Sequence, residues 1–129
     1  MTFTKNIELT TEQIRDVIVT ALEGGSNYWY FLANDSVKAI RDKVSKEENE
    51  YLSEAVTDAI YKGAVIPVYD IENPSELLGT LSKDSIEAGI QLMINNERDE
   101  IELVLDETYD AGDADVMFQY FVLGEIVFG

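Results

Sequence analysis

The densest run of groups able to do chemistry is DETYDAGDAD, residues 106–115, where Asp106, Glu107, Asp110, Asp113 and Asp115 fall within ten positions. Oxygen-rich loops of this kind hold Ca²⁺ or Mg²⁺ when their carboxylates converge. Set against the twelve-residue helix–loop–helix calcium loop, Asp106 and Asp110 occupy positions 1 and 5. Ala111, however, stands where that loop needs glycine, and Met117 where it needs its bidentate glutamate. The match fails, and the expectation is no metal and no cofactor. The alternatives are an irregular calcium site or a solvated loop whose Asp113 caps the helix that follows. Two carboxylates also suffice to hydrolyse a glycoside, but that needs a cleft and one raised pKa, neither visible in a sequence.

The remaining vocabulary is narrow. The 129 residues include no cysteine and no histidine, which removes thiolate chemistry, disulfides, the commonest general base and the commonest transition-metal ligand. The chain therefore reads as non-enzymatic. Its extreme property is charge: 26 acids against 9 bases, or −17. Residues 1–62 carry eleven acids and seven bases (−4), whereas residues 63–129 carry fifteen acids and only Lys83 and Arg98 (−13). Direct nucleic-acid binding needs clustered Lys and Arg and is disfavoured. The same field favours a basic protein partner.

A second candidate surface is aromatic. Gly24-Gly25 leads into Tyr28, Trp29, Tyr30 and Phe31, which hold the only tryptophan. Tyr28, Trp29 and Tyr30 can form a recognition surface, since such side chains offer large area at low entropy cost. The plainer reading drives Trp29 and Phe31 into the core, with Tyr28 and Tyr30 on the other side of an extended segment. No Lys or Ser/Thr follows the glycines at phosphate-loop spacing.

These residues need positioning elements. Ile14, Val17, Ile18, Ala21 and Leu22 make one helical stripe; Thr10 and Gln13 have capping-box spacing, and Gly24 and Gly25 can supply a left-handed closing residue. Asn34 or Asp35 can cap a second helix bearing Val37, Ile40 and Val44. Ser45 and Glu48 repeat the box spacing ahead of a third, with Leu52, Ala55, Val56, Ala59 and Ile60, closed by Gly63. AVIPVYDI (64–71) reads as a strand placed at a sheet edge by Pro67, and ELLGTL as its hairpin partner. Ser82 opens a helix with Ile86, Ile90, Met93 and Ile94. Alternation at 100–105 predicts a strand, and 3–9 a short one. From Val116 to Leu123 only Gln119 is polar, so 114–123 is expected as a central buried helix and 125–128 as a short strand. Exposed, the 116–128 segment would be a self-association surface. The whole predicts a single α+β domain over 1–129, a small mixed sheet packed by four to five helices. The N-terminus has neither a basic n-region nor an apolar h-region, and no apolar run reaches 18 residues, so a cytoplasmic, non-membrane protein is expected.

ALEGGSNYWY (21–30) and DADVMFQYFVLGEIVFG (113–129) resemble segments of small acidic proteins of phages, prophages and mobile elements. The resemblance covers about a fifth of the chain and brings no activity with it. It implies an accessory gene product acting in the cytoplasm of a bacterial host cell. With the charge, it gives the leading functional expectation: a protein that acts by binding, as an acidic, DNA-mimic-like decoy for a host nucleic-acid-handling protein. A small-ligand or peptide module on the Gly24–Phe31 turn is the alternative, and a structural role through 116–128 the third.

Overall fold

The molecule is built around its most apolar helix. In the computed structural model, which describes residues 2–3 and 7–129, α6 (Ala111–Leu123) buries Ala114, Asp115, Met117, Phe118, Gln119, Tyr120, Phe121 and Val122. A helix covered on almost every side has to be surrounded, and α6 is packed by three other helices, a helical turn and a strand. These are α1 (Thr11–Thr20), α4 (Lys83–Asn95), α5 (Glu100–Leu105), the turn that prolongs α1, and strand β5 (Leu77–Leu81). On the far side of α1 lies α3 (Leu52–Tyr61); α2 (Asn34–Arg41) packs between α3 and strand β4 (Ile66–Asp70). The result is a single compact α+β domain with six helices among the described residues.

Its sheet is three-stranded, in the order β3 (Tyr30–Phe31), β4, β5, and antiparallel throughout rather than mixed. Among the described residues the first two strands, β1 (Thr2–Phe3) and β2 (Ile7–Glu8), pair only with each other. Residues 4–6 of the expected 3–9 strand lie outside the described residues. Leu9, just after β2, is buried.

Pro67 sits in the middle strand, not at an edge. The sheet tolerates it because β3 pairs only with Tyr69 and Asp70, so Pro67 lies beyond the end of β3. Its carbonyl accepts the Ser36 hydroxyl at 2.6 Å instead.

Four further expectations change. Residues 100–105 form a helix, not a strand: Ile101 and Val104, three apart, are buried, and Leu105 points out. Residues 125–128 form no strand. The Ser45/Glu48 box does form, with Glu48 N–H donating to Ser45 Oγ at 3.3 Å, but it closes a single turn, and the helix begins at Leu52. The cap of α2 falls on Ala33, one residue before Asn34.

Three glycines let neighbouring backbones approach α6. A Cβ on Gly25 would lie 2.3 Å from the Ala111 carbonyl oxygen, one on Gly79 2.4 Å from that of Val122, and one on Gly89 2.5 Å from that of Tyr120. Three elements thus touch one helix at separations only glycine permits.

Candidate functional site

Two places gather polar chemistry, and they divide the acidic run between them. The first lies under the N-terminal turns of α6. Here α1 does not stop on a left-handed glycine; it widens into a π-helical turn over Ala21–Gly25, closed by Ser26 N–H donating to the Ala21 carbonyl at 2.8 Å. Neither Gly24 nor Gly25 has a positive φ. The wider turn leaves the Leu22 carbonyl free of helix partners, and the Tyr30 hydroxyl donates to it.

That turn carries Ser26, Tyr28 and Trp29 beneath Asp115. Ser26 Oγ donates to Asp115 at 2.7 Å, Trp29 Nε1 at 2.8 Å, Tyr28 Oη at 2.6 Å and Gln119 Nε2 at 3.2 Å. Asp115 is 7% exposed, so it does not belong to an acidic surface; its carboxylate is held by four neutral donors and no cation. Burying such a group is tolerable only when its oxygens are fully hydrogen-bonded, and here both are. Trp29 is 1% exposed and stacks on Phe128 at 5.2 Å and 11°, and against Phe118 at 5.6 Å. It is therefore a core residue, with Tyr30 half-buried beside it. Phe31, expected inward, is 37% exposed instead. Of the three aromatic candidates Tyr28 alone is largely open to solvent.

The Tyr28 phenol is pushed up to about 12, first by partial loss of solvent and then by donating to, and lying beside, the Asp115 carboxylate. Its folded value lies above the ordinary 10, so the stabilisation from this bond is present in full below pH 10 and is lost as the pH rises towards 12. The stability difference between the wild type and Tyr28→Phe should accordingly stay flat up to pH 10 and shrink above it. Denaturant midpoints measured across that window check this; a difference that shrank below pH 9 instead would contradict it.

The second place is the surface around α5. Residues 97–107 hold Glu97, Asp99, Glu100, Glu102, Asp106 and Glu107 against one base, Arg98. Arg98 is already spent on Glu100, with Nε–Oε1 at 2.8 Å and Nη2–Oε2 at 3.1 Å. The other five acids are exposed and unpaired among the described residues. Glu97, Asp99 and Glu102, together with Arg98, line a cleft of about 250 Å³ whose apolar wall is Ile7, Ile94 and Ile101.

Of the acidic run, Asp106 and Glu107 belong to this surface, Glu107 in a left-handed conformation (φ 58°) that closes α5. Asp110 and Asp113 do something else. Asp110, not Asp113, is the cap of α6: its Oδ1 accepts Asp113 N–H at 2.9 Å, while Asp113 Oδ2 accepts Asp110 N–H at 2.9 Å. The Asp113 backbone N–H holds the Asp110 carboxyl below the usual carboxylate range. Among the described residues, no three carboxylates gather closely enough to hold a metal ion.

Sequence reasoning misses Glu97, Asp99 and Glu102, because a strand at 100–105 would place Glu102 on a sheet face and leave Glu97 and Asp99 in the loop before it. It also misses Gln119, which stands in the sequence only as the one polar residue of an apolar helix.

The fold and these two sites define a small α+β domain centred on a buried helix, and none of the helices described is long and apolar enough to cross a membrane. The chain matches no protein-family model, no curated protein and no solved structure.

Proposed function

We propose that this is a non-enzymatic accessory protein, of the phage or mobile-element type, that acts by binding a basic partner through the acidic surface of α5. In its sharpest form it is a decoy for a host protein that handles nucleic acid, offering carboxylates where that protein expects phosphates. One observation carries the reading. Of the fifteen acids in residues 63–129, only Glu100 has a cation partner among the described residues, so the negative field of that half is almost uncompensated. The apolar wall of the cleft adds a place for a lysine or arginine stem, with the rim carboxylates receiving its charged end.

The test uses acids whose side chains make no ion pair among the described residues. Glu102→Lys, Asp106→Lys and Glu107→Lys together leave the α6 cap and Asp115 untouched. A basic nucleic-acid-binding protein from bacterial lysate should be retained by the immobilised wild type at low salt and released at moderate salt, since contacts between exposed charges are screened. The triple variant should bind it at least about tenfold more weakly, a difference of about 1.4 kcal/mol. Equal affinity of the two proteins for that partner would refute the proposal.

A further inference from the structure

The stretch that follows α6 is held as a bound peptide would be. Gly124 turns the chain in a left-handed conformation (φ 76°). Beyond it, the fully buried Gln119 reads the backbone: its Oε1 accepts the N–H of Val127 at 2.8 Å and of Phe128 at 2.9 Å, and its Nε2 donates to the Phe128 carbonyl at 3.1 Å. A carboxamide that both gives to and takes from one residue's peptide groups supplies what a neighbouring β-strand would supply. The Phe128 ring, stacked on Trp29, is the side-chain anchor. Little else ties the segment down. Among the described residues every hydrogen bond to 125–129 comes from Gln119, while Ile126 and Val127 are 42% and 57% exposed.

We propose that Gln119 and Trp29 form a peptide slot that the chain fills with its own Val127 and Phe128, and that this slot takes in trans an extended segment of a partner in which an aromatic residue follows an aliphatic one. The seated segment shows the chemistry that fits: two backbone N–H groups and one carbonyl for the carboxamide, and a flat ring for the indole. Segments fixed by so few contacts open most readily, which leaves the slot available for exchange. The charge argues which partner would enter. A second copy would bring another body of −17 against the first, whereas a peptide flanked by lysines is drawn in by the same field. The slot does not depend on the α5 surface, so either can fail alone.

The probe is a fluorescently labelled peptide, Lys-Lys-Ile-Val-Phe-Gly, added to the full chain and followed by anisotropy. In the wild type its apparent affinity is reduced by the fraction of molecules whose slot is self-filled. Phe128→Ala, which removes the internal anchor, and Val127→Pro, which removes one N–H at an exposed position, should each bind the peptide roughly tenfold more tightly than the wild type. Adding Gln119→Leu to either variant should remove the gain, and replacing the peptide's Phe by Ala should abolish binding. Circular dichroism confirms that each variant is folded; Val127→Pro keeps the test open if Phe128→Ala is not. Equal binding to wild type and both variants, or binding that survives Gln119→Leu, would overturn the slot. A doubled mass for the wild type by light scattering, lost in Phe128→Ala, would give the slot to a second copy and overturn the partner assignment.

Discussion

Asp115→Leu should lower the stability of the protein by about 3–5 kcal/mol, more than any surface change. Three of the donors that converge on this carboxylate, Ser26, Trp29 and Gln119, are buried, and none has room to turn to water. Each buried donor stranded without an acceptor costs about 1–3 kcal/mol, partly relieved by rearrangement. Tyr28 is left out of the sum because, at 47% exposure, it can turn its hydroxyl to solvent once the carboxylate is gone. Against a total of about 5–15 kcal/mol for a domain of this kind, the loss would leave a large unfolded fraction. Asp115→Asn keeps the shape and one acceptor oxygen but turns an amide N–H₂ towards a donor, so it should cost about 1–2 kcal/mol. Urea unfolding of the three proteins checks the order. A leucine variant as stable as the wild type would show that the four hydrogen bonds are incidental to a core that packs without them.

The second large effect runs against helix propensity. In the middle of α4, replacing glycine by alanine favours the helix by about 1 kcal/mol, yet Gly89→Ala should destabilise the protein by about 2–3 kcal/mol. The new Cβ would lie 2.5 Å from the Tyr120 carbonyl oxygen, 2.8 Å from its carbon and 3.0 Å from the Phe121 nitrogen. All three are backbone atoms of the most buried helix, so no side chain can swing aside, and α4 must move off α6. Gly24→Ala provides the control. A Cβ there meets nothing within 4 Å and its φ is not in the left-handed range, so that substitution should be neutral or stabilise by up to about 1 kcal/mol. Thermal unfolding of the pair separates the two effects: if Gly89→Ala were the more stable protein, close approach to α6 would not be what the glycine is for.

The helices with complete local signals are legible in the sequence alone. Thr10 and Gln13 form their capping box, with Thr10 N–H donating to Gln13 Oε1 at 2.9 Å and Gln13 N–H to Thr10 Oγ1 at 3.1 Å. The all-round apolar run marks α6 as central for the same reason that it is buried. Sequence reasoning fails where a local pattern admits two periods or depends on distant contacts. Six residues at 100–105 fit an alternating strand as well as a helix, and the tie is broken by Ile101 and Val104 facing the core together. Pro67 reads as an edge residue because a sequence does not reveal that β3 is two residues long. Asp115 reads as one more surface acid in a row of five. Its burial follows from Ser26, Tyr28 and Trp29, which arrive from 86 to 89 positions away. Gly25 reads in the sequence as a helix-closing residue and Gly89 as a weak point or a close-packing contact, but the carbonyls they admit belong to another part of the chain.

The position of α6 along the chain also sets an order of events during synthesis. Ribosomes add residues from the N-terminus, and the elements that surround this helix are all made before it. Until residues 111–123 emerge, the inner faces of α1, α4 and β5 have nothing to close on, and Ser26 and Trp29 have no carboxylate to receive them. A nascent chain halted before that point therefore displays its apolar surfaces to chaperones and proteases. A chain that ends upstream of the late helix should therefore lack the centre on which α1, α4, α5 and β5 converge.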